Sequence, residues 1–158
     1  MPDRRPTLEE RVVLVAEAAL AERSVVSPID VLIGIGWLTP QAVDAWRQGR
    51  ADDLERLAQA NLHKLSAAMV VLRRWATDRG LRPSETAYVA RARDRHPLRF
   101  SCSGDAAIET AYRTHWVSPD LVRSHPGGSC ERLHEASPWS PSPTSARFRS
   151  SHACVKRP

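Results

Sequence analysis

SPIDVLIGIGWLTPQAVDAWRQGR, residues 27–50, decides how the rest of the chain is read. Ser27-Pro28 and Thr39-Pro40 each pair a helix-capping hydroxyl with a proline that loses no needed hydrogen bond at the first helical position. Asp30 falls in the first turn of the first helix, where the helix dipole favours an acid. Val31, Leu32 and Ile35 form its apolar side, and Gly34 and Gly36 weaken continuation, so the helix is expected to end near Ile35. Val43 and Trp46 lie one turn apart on the second helix, and Gly49 suits its exit. Two short helices joined by a glycine-containing corner describe a helix-turn-helix-like unit.

Working outward, Thr7-Leu8-Glu9-Glu10 is a capping box. Leu8, Val12, Val15, Ala16 and Ala19 then share one face of a helix running to about Arg23. Downstream, Leu54, Leu57, Ala58, Leu62, Leu65, Met69, Leu72 and Ala76 step by three and four, predicting one long amphipathic helix from Asp53 to Arg79. Acids at its start and arginines at its end complement the macrodipole. Gly80 and Pro83 end it. Residues 86–91 and 97–101 read as two short strands of a hairpin turning at 93–96. A last helix opens at Ser103-Gly104-Asp105, with Ile108, Ala111, Tyr112, His115 and Trp116 on one face, and Ser118-Pro119 stops it. The expected fold is mainly α: one domain over residues 7–118 with five helices and a small β-hairpin. Residues 119–158, rich in Ser-Pro pairs, are expected to be a disordered tail.

Composition sets wider limits. The net charge is +5, with 17 basic and 15 acidic residues before position 119 and 6 against 3 after it. That permits a polyanionic partner without requiring one. No apolar run is long enough for a transmembrane helix, and the N-terminus lacks a signal-peptide pattern, so a cytoplasmic protein is expected. Cys102, Cys130 and Cys154 are odd in number and widely spaced, which argues against a disulfide framework and a zinc ribbon. Cys130, His134, His152 and Cys154 are the one set that offers four metal ligands, and no folding pattern surrounds them. No nucleotide-binding, zinc-protease or serine-hydrolase motif occurs. Cys102 with His96 or His115 is the nearest approach to a nucleophile pair. No cofactor is expected, and the missing motifs lean the reading away from an enzyme without deciding it.

The function that rises above a generic helical domain is nucleic-acid binding, to DNA or RNA. Gln41, Arg47, Gln48 and Arg50 are candidates for base contact, since Gln and Arg pair bidentately with adenine and guanine edges. Arg91, Arg93 and Arg95 alternate, so on a strand they would share one face, and with Arg99 they are candidates for phosphate contact. The competing reading is an ordinary pair of packed helices beside a solvated charged hairpin. A structural or protein-interaction module is the second hypothesis, with the Asp53 to Arg79 helix as a dimer or partner face. A non-functional fragment is the third.

Val43 to Arg50 resembles the recognition-helix exit of small excisionase-like winged-helix domains, although the corner from Ile35 to Leu38 is about one residue longer and Asp44 would repel phosphate. A wider resemblance runs from about Val26 to Pro119, carried by SPIDVLIGIGWL (27–38), WRQGR (46–50), RGLRPSETAYVAR (79–91), LRFS (98–101) and AYRTHWVSP (111–119). It is similar to the N-terminal region of an uncharacterised family of larger proteins from GC-rich bacteria. The resemblance implies a continuation through a zinc-ribbon-like cysteine region, a basic helical stretch and a C-terminal domain of unknown function; it implies no mechanism. From about Asp120 the chain departs from that pattern. This suggests a truncated or frameshifted member, which shifting the reading frame near codon 120 would test.

Overall fold

The computed structural model describes residues 5–120. Apart from Pro119 and Asp120, the tail expected to be disordered, with the Cys/His set in it, lies outside the described residues. Among the described residues there are five helices, α1 Leu8–Arg23, α2 Pro28–Gly34, α3 Pro40–Arg47, α4 Leu62–Asp78 and α5 Ala106–Arg113, and a small antiparallel sheet. Its strands are β1 Val25–Val26, β2 Arg82–Glu85 and β3 Thr114–Val117, in the order β1-β3-β2. Among the described residues, no helix is long and apolar enough to cross a membrane.

Helix starts follow from local chemistry. Thr7 and Glu10 close a reciprocal capping box, and Ser27, Thr39, Asn61 and Asp105 each accept a backbone N–H of the first turn they cap. The expected inner face of α1 holds, with Val12, Ala16 and Ala19 buried. Leu65, Ala68, Leu72, Trp75 and Ala76 of α4 are buried, and α1 packs beside α4. Trp75 Nε1 donates to Glu17 Oε1 at 2.9 Å, and Arg74 and Arg79 pair with Glu9 and Glu17. The apolar stripe considered as a dimer face is therefore used within the chain.

Gly34 does more than weaken a helix. It sits where α2 crosses α1, and a β-carbon there would overlap the side-chain carbons of Val15. Gly34→Ala is expected to destabilise by about 1–3 kcal/mol through overpacking. Helix propensity alone would favour alanine by about 1 kcal/mol, so a gain in stability on urea denaturation would show that Val15 moves aside freely.

Three expectations are corrected. The long helix does not begin at Asp53: residues 55–57 form a single 3-10 turn, Ala58 is extended, and Asn61 starts α4 afresh. Partners distant in sequence hold this segment out of the helix. Glu55 N donates to the Phe100 carbonyl, Gln59 N to the Trp37 carbonyl, and Asp53 bridges to Arg99. The hairpin shrinks to one antiparallel bridge, Val89 with Pro97, closed by Ala90 N to the His96 carbonyl and Leu98 N to the Tyr88 carbonyl. Pro97 has no N–H to extend the ladder. The last helix stops at Arg113, and His115 and Trp116 belong to β3, which pairs with both β1 and β2. Tyr112 and Glu109 are the buried residues of α5, whereas Ile108 is exposed.

The structure does not show a helix-turn-helix. That motif braces its second helix on its first, whereas α2 has α1 and α5 as its main helical neighbours. The buried side of α3 instead meets residues 88–100. Trp46 packs on Tyr88 and Phe100 at ring-centroid distances of 5.7 and 4.9 Å, and its Nε1 donates to the Arg99 carbonyl at 2.8 Å. Phe100 in turn stacks on Tyr112 of α5 at 5.4 Å. This aromatic cluster belongs to the same hydrophobic core as the buried faces of α1 and α4.

Candidate nucleic-acid interface

The exit of α3 and the turn after Tyr88 meet directly. Arg91 N donates to the Arg47 carbonyl at 2.6 Å, satisfying an end carbonyl of α3 that its own helix leaves open. The Arg91 guanidinium lies 3.9 Å from Asp44. Gly49, in the left-handed conformation at φ +73°, faces the His96 ring. The turn itself is held by Arg95 N donating to the Ala92 carbonyl, with Arg95 also left-handed at φ 45°. Arg50, Arg91, Arg93 and Arg95 are exposed along this junction.

The eight sequence-predicted residues are not equivalent. Gln41 is exposed at the opposite end of α3. Arg47 is half-buried, with its guanidinium 5.8 Å from the centre of the Tyr88 ring. Burial lowers its pKa from the usual arginine value, opposed by the nearby Tyr88, Asp30 and Asp44, but an arginine so shifted still keeps its proton at neutral pH. Gln48 Nε2 donates to Asp44 Oδ2 at 2.5 Å. Arg91, Arg93 and Arg95 do not alternate along a strand: Arg91 lies in a bend, Arg93 in the turn expected at 93–96, and Arg95 directly after it. Among the described residues, no carboxylate lies within ion-pair range of Arg50, Arg93 or Arg95. Arg99, also exposed, reaches the Cys102 carbonyl at 3.4 Å.

Sequence reasoning missed a second polar centre. Asp53 is buried, and its carboxylate accepts the Cys102 thiol and the Arg56 backbone N–H, both at 3.0 Å, while Arg56 Nε pairs with its other oxygen. Glu55 accepts Cys102 N at 2.9 Å and the Tyr112 hydroxyl at 3.3 Å. Asp53, Arg56 and Cys102 line, with His96 and Arg99, a cleft of about 330 Å³. The Cys102 thiol is held above the usual cysteine value, first by its hydrogen bond to the Asp53 carboxylate and then by burial. A thiol raised in this way is a weaker nucleophile at neutral pH, and its partner is Asp53 rather than the expected His96 or His115. His96 Nδ1 pairs with Asp94 at 2.9 Å. His115 is buried between the Tyr88 hydroxyl, 2.7 Å from Nε2, and Thr86 Oγ1, 3.3 Å from Nδ1. Burial pushes the Tyr88 hydroxyl well above the usual tyrosine range, so it remains protonated. Asp53 and Glu55 carry no sequence signal for these roles, because both read as the acidic first turn of a helix.

Among the described residues, no group of three or more His, Cys, Asp or Glu is placed to hold a metal ion. No family model matches the chain, and no match was found among curated proteins or solved structures.

Proposed function

We propose that this domain binds nucleic acid through the surface formed by the α3 exit and residues 91–95. The observation that carries the reading is the joining of two arginine-bearing segments, distant in sequence, through Arg91 N and the Arg47 carbonyl at 2.6 Å. The junction presents Arg50, Arg91, Arg93 and Arg95 to solvent, and phosphate attraction through released counterions is the general source of affinity at such a surface. Asp44 and Asp94 reduce its charge, so the affinity belongs to the salt-sensitive, moderate range.

Fluorescence anisotropy with a labelled duplex tests the reading at about 50 mM and about 200 mM salt. Binding that weakens steeply between the two is expected. Arg93→Ala/Arg95→Ala is expected to weaken low-salt binding roughly tenfold and to reduce the log–log salt slope by about 2. An unchanged slope would remove these arginines from the interface.

The protein-interaction reading has one observation in its favour: Leu14 of α1 and Val70 of α4 are 72% and 67% exposed. Scattered apolar residues are ordinary on a protein surface, so this reading stands second. Size-exclusion chromatography with light scattering tests it, and a strict monomer removes the helix-mediated dimer. Kinship with the larger bacterial proteins remains part of the proposal, and the reading-frame test at codon 120 decides it.

A further inference from the structure

Building on the nucleic-acid reading, we infer that the partner is double-stranded and is held by its phosphates, with little selection among bases. Three observations point this way.

Three of the four groups suited to reading bases are engaged or badly placed, which leaves Arg50 exposed at the exit of α3. Gln48 is tied to Asp44 at 2.5 Å, and Arg47 lies over Tyr88 at 5.8 Å. Gln41 sits at the far end of an eight-residue helix, about 12 Å long at 1.5 Å per residue. Asp44, exposed between the two ends, opposes insertion of α3 into an acceptor-rich, phosphate-walled groove.

Among the described residues, stacking platforms are also missing from the surface. Sequence-tolerant single-strand binding relies on aromatic faces beside a basic groove. Trp46, Tyr88 and Phe100 adjoin the arginines and are buried against one another. Among the described residues every tryptophan, tyrosine and phenylalanine is buried except Trp37, and Arg11 covers that ring at 5.9 Å. The exposed ring at the junction is His96, engaged by Asp94 at 2.9 Å.

Finally, the arginines that remain exposed project from a tight turn and a helix exit. Such short elements can follow phosphates across a groove edge, and phosphate contacts position a protein without carrying sequence information.

The test uses the full chain with labelled probes of equal length: an A·T-rich duplex, a G·C-rich duplex and a mixed-sequence single strand. Wild type and Gln41→Ala are compared at about 50 mM and about 200 mM salt. Expected are affinities for the two duplexes within about threefold, single-strand binding weaker by about tenfold, and no more than a twofold effect of Gln41→Ala. Single-strand binding equal to or tighter than duplex binding overturns the inference and leaves the nucleic-acid reading standing. A preference of about tenfold or more for one duplex, or its loss in Gln41→Ala, does the same. Absence of salt-dependent binding to every probe overturns the nucleic-acid reading and this inference with it.

Discussion

Trp46→Ala is expected to cost about 4 kcal/mol of folding stability, the range for deleting a large buried aromatic. Trp46 is fully buried, touches Tyr88 and Phe100, and donates to the Arg99 carbonyl at 2.8 Å. It pins α3 to residues 88–100, so its loss opens a cavity and leaves a backbone acceptor unpaired. A typical domain has only about 5–15 kcal/mol in total; the variant is therefore expected to unfold at a markedly lower urea concentration. Trp46→Phe separates the two contributions: packing is largely retained and the hydrogen bond is lost, for about 1–2 kcal/mol. Urea denaturation followed by far-UV circular dichroism checks both. Equal, sub-kilocalorie effects would show that Trp46 does not pin the two segments.

The second large effect is expected at Glu109. This buried carboxylate reaches from α5 to residues 100–101. Its Oε1 accepts Phe100 N at 3.0 Å, Ser101 N at 2.7 Å and Ser101 Oγ at 2.9 Å, and its Oε2 lies 3.4 Å from Arg113 Nη2. Glu109→Ala strands two buried N–H groups and a half-buried guanidinium. The expected loss is about 3–5 kcal/mol, as when one partner of a buried charged pair is removed. Glu109→Gln keeps one acceptor oxygen and is expected to lose about 1–2 kcal/mol. Hydrogen exchange gives a local readout: the Phe100 and Ser101 amides should lose protection in the alanine variant before the α1–α4 pair does. Unchanged protection there would mean that another acceptor serves these amides.

Much of the helical framework was legible because its signals are local. Caps at Thr7, Ser27 and Thr39 act within three residues, and the inner face of α1 repeats with the helical period. The segment 53–61 misled because its leucines continue the helical spacing of α4. The periodicity of Leu54 and Leu57 is real, but backbone bonds to Phe100 and Trp37 outweigh it. At the candidate site the arginines were visible as residue types. Their grouping was not: Arg99 reads as part of the same hairpin as Arg91, yet it bonds to Cys102. Nothing within its own turn of α5 marks Glu109 as the acceptor of two amides at residues 100 and 101.

The sequence by itself determined where most helices begin, which faces of α1 and α4 are apolar, and that arginine clusters near residues 47–50 and 91–95. These properties depend on groups a few positions apart, whose hydrogen bonds and packing close within a turn or two. Only the tertiary structure decided that residues 114–117 form the central strand, that Asp53 and Glu109 are buried acceptors, and that Arg91 caps the exit of α3. A strand, a buried carboxylate and an open carbonyl each need a partner whose place in the chain no local pattern specifies, and burial makes an unmet partner costly enough to override periodicity.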